Sequence, residues 1–227
     1  MFAPQDFFDL DRAPFPQIYS GMNYVWEAVP RIREFLAERL VPGVDPTARV
    51  NPGAFVGERV QIGPDTVVEP GAVIFGPAII GRGCQVRSNA YIRQDVIVGD
   101  GSVLGYCCEF KNCILHEAAS VFHLAYVGDS LVGYKAHLGA GVIISNVKLT
   151  NETVKIKGPQ GVIDTGLVKF GSVLGDHAEI GCNSVLNPGA LIGPYSILYP
   201  LSSFSGVLPA RRIAKLRQTF EVVERKQ

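Results

Sequence analysis

From Val44 the chain carries an aliphatic or aromatic residue at every sixth position: Val44, Val50, Val56, Ile62, Val68, Ile74, Ile80, Val86, Ile92, Val98, Leu104 and Phe110. Four places after each stands a small or β-branched side chain in nearly every case, as at Ala48, Ala54, Thr66, Ala72, Cys84 and Ala90. A glycine often follows the aliphatic, as at Gly57, Gly63, Gly81, Gly99 and Gly105. The count resumes at Val168, Leu174, Ile180, Leu186, Ile192 and Leu198. No α-helix holds a period of six. A hexapeptide is one short strand plus one corner, and three of them close a triangular coil. With the aliphatic inward and the small residue at the tight corner, coils stacked at ~4.8 Å bury a continuous apolar column. The pattern predicts an all-β chain, a parallel β-helix of hexapeptide repeats spanning residues 44–206.

The count slips inside Glu109–Asn146. Between Phe110 and Ile144 the aliphatics fall at Leu115, Val121, Val127, Val132 and Leu138, so two of the steps are five residues long instead of six. His116, His123, Tyr126 and His137 gather in the same stretch. A strict repeat builds a rod, and an interruption is where a rod can carry a site. The flanks do not repeat. Residues 1–43 form an N-terminal arm, rich in Pro and aromatics up to Trp26. A helix is expected from Pro30, with Ile32, Phe35, Leu36 and Leu40 on one face and a stop at Pro42-Gly43. Residues 150–166 alternate around Gly158-Pro-Gln-Gly161 and predict a hairpin projecting from the coil. In 207–227, Ile213, Leu216, Phe220 and Val223 share a helical face, which predicts a C-terminal helix capping the open end of the coil.

Composition narrows the classes. Formal net charge is zero over 227 residues, which gives no electrostatic case for nucleic acid or an acidic membrane surface. No apolar run approaches the ~20 residues of a membrane span. The N-terminal residues lack the apolar core of a signal peptide. Five cysteines (Cys84, Cys107, Cys108, Cys113 and Cys182) form no C-x-x-C pair, and read as reduced thiols of a cytoplasmic protein. The Gly-x-Gly at Gly99–Gly101 sits in the hexad frame with no helix after it, so it is not a dinucleotide loop.

The repeat resembles that of the hexapeptide acyltransferases. That resemblance implies a left-handed β-helix, a homotrimer and active sites between subunits. The central stretch is similar to the acetyltransferase half of the bifunctional N-acetylglucosamine-1-phosphate uridyltransferase/glucosamine-1-phosphate acetyltransferases. It matches their His-Leu-x-Tyr-x-Gly-Asp at His123, Tyr126, Gly128 and Asp129, their Gly-Ala-Gly at Gly139–Gly141, and an Asn at Asn146. The resemblance makes His123 the base and Tyr126 a holder of the sugar phosphate, and sets the Ala140 backbone against the thioester. By the family's spacing it assigns Lys111 and Arg93 to the phosphate and, beyond the insertion, Lys169 to another basic position of the sugar site. Cys182 falls where the family has a Ser near the pantetheine. His137 replaces a family Asn near the sugar. Residues 1–43 hold no Gly-rich nucleotide loop, so the resemblance extends to the acyl step alone.

These residue types suit acyl transfer to an amine. A neutral imidazole accepts the amine proton near pH 7, backbone N–H groups stabilise a tetrahedral oxyanion, and Arg and Lys bind phosphate. Each also has a plainer reading: His123 as a corner residue bonded to backbone, Tyr126 as packing, Arg93 and Lys111 as solvated charges. Cys84 and Cys108 occupy the small-residue position of the repeat, where packing accounts for them. The basic C-terminal segment either caps the coil or meets coenzyme A phosphates. A zinc site of the β-helical carbonic anhydrase kind needs two His five apart, a spacing this chain lacks, so no metal is expected. The expected activity is a CoA-dependent N-acyltransferase moving acetyl from acetyl-CoA to an amino-sugar phosphate, with glucosamine 1-phosphate as acceptor. The alternatives are a different acceptor or donor, and a non-catalytic β-helical trimer binding a sugar nucleotide or a partner.

Overall fold

The computed structural model describes residues 2–158 and 161–225; Pro159 and Gln160 of the expected hairpin turn lie outside them. The expected left-handed parallel β-helix is the observed architecture. Its strands stack in three parallel columns, which form three faces. Face one begins at Gly43–Val44 and Val60–Ile62, face two at Arg49–Val50 and Val67–Val68, and face three at Phe55–Val56 and Val73–Ile74. The register advances by one coil per eighteen residues, as in Val60↔Ala78↔Val96. The hexad aliphatics Ile62, Val68, Ile74, Ile80, Val86 and Ile92 and the small residues Ala72, Ala78, Cys84 and Ala90 are buried together in one column. Burial pushes the Cys84 thiol up to about 11, and those of Cys108 and Cys113 upward as well, so these sulfurs act as packing groups.

Face one has a second core on its outer side. The outward residues Ile79, Ile97, Ile114, Leu131, Val173 and Leu191 are buried against the N-terminal arm. Each such burial contributes roughly 1.5–3 kcal/mol relative to exposure. The arm winds through four 3-10 turns into helix α1 (Ala28–Arg39), which starts two residues before Pro30 and buries Val29, Ile32 and Leu36. Its backbone bonds to the coil where Glu117 N donates to Arg12 O (3.2 Å) and Asp176 N to Phe7 O (2.9 Å).

The hairpin (Lys155–Gly158 with Gly161–Asp164, antiparallel) does not project freely. Val154 and Ile156 join the second core beside Trp26 and Phe170. Two further expectations are corrected. Val168, counted as a hexad aliphatic, is exposed outside the coil, and the column resumes at Leu174. The C-terminal helix is absent: Val207–Leu208 and Ile213–Ala214 add strands to the coil, and residues 215–225 carry no helix. The coil therefore runs past 206 to 214. The step from Phe204 to Leu208 is four residues, which broke the count. Ile213, Leu216, Phe220 and Val223 are all exposed, so the expected apolar helix face has nothing to bury it.

His116 lies under the arm, fully buried, its Nε2 2.7 Å from Tyr19 Oη and its ring against Phe8. Its Nδ1 has no hydrogen-bond partner among the described residues. Burial lowers its pKa from 6.5 to about 3, so the folded chain keeps it neutral where the unfolded chain would protonate it. The folded pKa lies below the unfolded one. This contribution is therefore complete above about pH 6.5 and declines as pH falls toward 3, by up to about 1.4 kcal/mol per pH unit. Urea-denaturation midpoints should fall between about pH 7 and pH 5 in the wild type and fall less in His116→Leu; parallel profiles would remove His116 from the account.

Candidate active site

Both five-residue steps, Phe110 to Leu115 and Val127 to Val132, turn the same corner, from face three to face one. There Glu109–Leu115 and Tyr126–Val132 run through the bend as single strands. The turn is taken by Asn112 (φ +46°) and Asp129 (φ +49°), residue types that tolerate the left-handed region. The slips thus mark Lys111-Asn112 and Gly128-Asp129 more directly than they mark the histidines.

Asp129 is 2% exposed and is the hub of this corner. It accepts from Lys111 Nζ at 3.2 Å on each oxygen, from Asn112 Nδ2 at 2.7 Å, and from Asn146 Nδ2. Asn146 Nδ2 also donates to Tyr126 Oη at 3.2 Å. Burial raises the Tyr126 phenol pKa, and the charges of Asp129 and Glu109 add to the shift. A Cβ on Gly128 would stand 2.4 Å from Tyr126 Oη, so only glycine lets that hydroxyl approach the corner. One coil below, Arg93 Nη1 donates to Glu109 Oε1 at 2.8 Å, which holds the guanidinium pKa above its ordinary value. Glu109 is the register partner of both Tyr91 and Tyr126, so this pair lies alongside the Tyr126 ring. Lys169 is exposed and forms no ion pair among the described residues. With Lys111 it lines a cavity of about 400 Å³ at this corner, walled by Arg33 and the first turn of α1.

His123 stands at the next edge, between faces two and three, where Ser120–His123 ends. It is exposed, and its ring makes no hydrogen bond among the described residues. Its carbonyl accepts from Gly141 N at 3.1 Å, and Ala140 O accepts from Asn183 N at 2.8 Å, so the Gly-Ala-Gly corner sits one coil above. Gly141 takes φ +73° there. On face two, His137 Nδ1 is 2.8 Å from Glu179 Oε2. His137 and Cys182 line a mainly apolar cavity of about 300 Å³ with Gly139 and Tyr199.

The expected residues fall into two groups. Arg93, Lys111, Tyr126 and Asn146 share face three and its corner, with Lys169 at the rim. His137 lies on face two, and His123, Ala140 and Cys182 stack in register at the edge between faces two and three. The cavity lined by Lys111 and Lys169 and the one lined by His137 and Cys182 share no residue. Sequence reasoning matched Asp129 as a motif position without a role and missed Glu109, Asn112 and Glu179, the other carboxylates and the amide that support the expected residues. Their signal is spacing by one coil: Lys111 and Asp129 are eighteen residues apart, Arg93 and Glu109 sixteen. Among the described residues no group of three His, Cys, Asp or Glu is placed to hold a metal, and no helix is long and apolar enough to cross a membrane.

The family model of the GMPPB C-terminal domain matches residues 74–168. YaiX of Escherichia coli strain K12, named as an uncharacterized acetyltransferase, is 36% identical over 142 residues, which cover 63% of this chain and 62% of that protein. A bifunctional sugar-1-phosphate nucleotidylyltransferase/acetyltransferase of Sulfurisphaera tokodaii is 33% identical over 142 residues, 63% of this chain and 35% of the other. The chain thus spans about three fifths of the first relative's length and about a third of the second's. Among solved structures, an Arabidopsis UDP-N-acetylglucosamine acyltransferase matches at 15% identity with a TM-score of 0.38, covering 75% of this chain and 70% of that one.

Proposed function

We propose that this chain, a hexapeptide-repeat relative of GlmU-type acetyltransferases, is a CoA-dependent N-acetyltransferase acting on an amino-sugar phosphate, glucosamine 1-phosphate being the first acceptor to test. The observation that carries this reading is the joined set Tyr126, Asn146, Asp129 and Lys111 beside Arg93, three residues along the chain from the unencumbered His123 imidazole. The names of the relatives support the acetyl-transfer step.

In this mechanism the acceptor amine attacks the thioester carbonyl of acetyl-CoA. His123 takes the proton the amine loses. The tetrahedral oxyanion is met by the Ala140 backbone N–H, which, unlike those of Gly139 and Gly141, is not spent on the coil among the described residues. It collapses with breakage of the carbon–sulfur bond, and the CoA thiolate leaves and is protonated. Arg93 and Lys169 hold the phosphate, Tyr126 and Asn146 orient the sugar, and the cavity with His137 and Cys182 receives the pantetheine arm. The two groups of residues meet across subunits of a homotrimer in the cytoplasm, which is why one chain leaves them on separate faces. The His137–Glu179 pair favours a second reading, an acceptor other than glucosamine 1-phosphate, because it ties His137 to face two and away from the Tyr126 cluster.

Thiol release from acetyl-CoA, followed against a panel of amino-sugar phosphates with a light-scattering mass of three chains, tests this reading. Lys169→Ala and Arg93→Ala should each weaken a phosphorylated acceptor by about 1–3 kcal/mol and leave the unphosphorylated amino sugar nearly unaffected. No turnover with any acceptor, or equal losses for both sugars, would count against it.

A further inference from the structure

We infer that Asp129 is a positioning residue for the acceptor: one buried carboxylate fixes Lys111 and Asn146 and, through Asn146, aims the Tyr126 hydroxyl. The inference rests on the function proposed above and adds to it a residue that never touches the substrate.

The geometry of the corner carries it. The backbone does not require a carboxylate here, since Asn112 takes the same left-handed turn one coil below, and Asn89 and Asn183 do so at another edge. Burying a carboxylate costs several kcal/mol unless its lone pairs are filled and its charge is matched. At Asp129 both conditions are met, and by the residues proposed for binding. Four hydrogen bonds from three side chains reach its two oxygens. Its charge is matched by Lys111, whose side chain is only 16% exposed. Lys111 is therefore committed to Asp129 and forms a near-neutral pair with it, which leaves the exposed Lys169 and the half-exposed Arg93, itself paired with Glu109, as the cations nearer solvent.

The same corner supplies a contrast. Asp95, one coil lower than Asn112, is also buried, but it accepts from Arg33 of α1 at 3.1 and 3.2 Å. That carboxylate fastens the arm. Among the described residues the Asp129 carboxylate receives no bond from the arm, and each of its three side-chain partners lies on the central stretch. A carboxylate serving only the fold would have no reason to bond an amide that in turn bonds an open-faced tyrosine. The Asn146 link turns a structural charge pair into a guide for Tyr126. Gly128, which leaves room for that hydroxyl, is the residue just before Asp129.

The test has one readout in activity and one independent of it. Asp129→Asn keeps the shape of the side chain but replaces one acceptor with a donor, so Asn146 and Lys111 lose their common anchor. The acceptor KM should rise about tenfold or more while the KM for acetyl-CoA holds, because the donor cavity lies on face two. Independently, the Tyr126 phenol, followed by NMR of ring-labelled tyrosine, should titrate at lower pH than in the wild type. The negative charge of Asp129 is then gone, while Glu109, Arg93 and Asn146 still face the ring. If Asp129→Asn fails to fold because it leaves the Lys111 ammonium unpaired, Asp129→Asn combined with Lys111→Met removes both charges, and the Tyr126 phenol should still move to lower pH. Unchanged Tyr126 titration with unchanged acceptor KM would overturn the inference, as would an equal rise in both KM values. If the wild-type protein turns over no acceptor, the functional reading falls and the phenol titration alone decides the role of Asp129.

Discussion

His123→Ala should lower turnover by ~10²–10⁴-fold, the range typical of a lost general base, and leave a folded protein that still binds acetyl-CoA. The structural half of this expectation follows from where the ring stands. Within Ser120–His123 it is Val121 that fills the inner column, while His123 is exposed at the edge with no hydrogen bond to its imidazole among the described residues. The bond that ties it to the coil above runs from Gly141 N to the His123 carbonyl, which alanine retains. The residue that takes the left-handed turn is Leu124 (φ +53°), so the substitution adds no backbone strain. The chemical half follows from the proposed step: the attacking amine must lose a proton, and this imidazole is free to accept it. Steady-state thiol release with circular dichroism on the same sample checks both halves. Unfolding would make His123 structural, and unchanged turnover would place the base elsewhere.

The largest expected effect on stability is at Phe110. Phe110→Ala should cost about 3–5 kcal/mol, measured by urea denaturation, whereas Phe110→Leu should cost less than about 1.5 kcal/mol. Phe110 is fully buried, an aromatic ring in a column built mostly of Val, Ile and Leu with small partners, the half-buried Phe204 standing near its far end. It stacks in register on Ile92 below and Val127 above. Alanine there opens a cavity between two coils held by their neighbours, which collapse only partly. The cavity would also sit directly behind Glu109 and Lys111, the flanking residues that face the site. A cost below about 1 kcal/mol would show that the ring is not packed as the structure places it.

How far the fold was legible depended on which side of a strand a residue faces. The inner column follows a period of six and could be counted. The second core could not, because Ile79, Ile97, Ile114 and Leu131 are the penultimate residues of longer strands, and the hexad assigns that position to solvent. A signal was present: at eighteen-residue spacing, and then seventeen, face one is apolar on both sides, the mark of a sheet covered twice. The C-terminal helix failed for the reason that limits most short periodic segments: Leu216, Phe220 and Val223 have the spacing of a helix but nothing to bury them. At the candidate site, His123, Tyr126 and Asn146 could be found because they stand close in sequence. The role of Asp129, matched only as a motif position, and Glu109 altogether were passed over because their partners lie a full coil away, and a β-helix makes neighbours of residues that a linear motif keeps apart.

The arm's attachment has a mechanical consequence. A solenoid in which each turn touches only its neighbours tends to fray turn by turn from its ends. Here one segment runs lengthwise over the turns and is tied at Asp95 through Arg33, at Glu117 through Arg12, and at Asp176 through Phe7 and Asp9. These anchor points span several successive coils, so opening any one of them strains the strap that holds the rest. The strap converts a stack of weakly coupled units into a single cooperative block. The final strand at Ile213–Ala214 lies beyond the last tie and is left to open on its own.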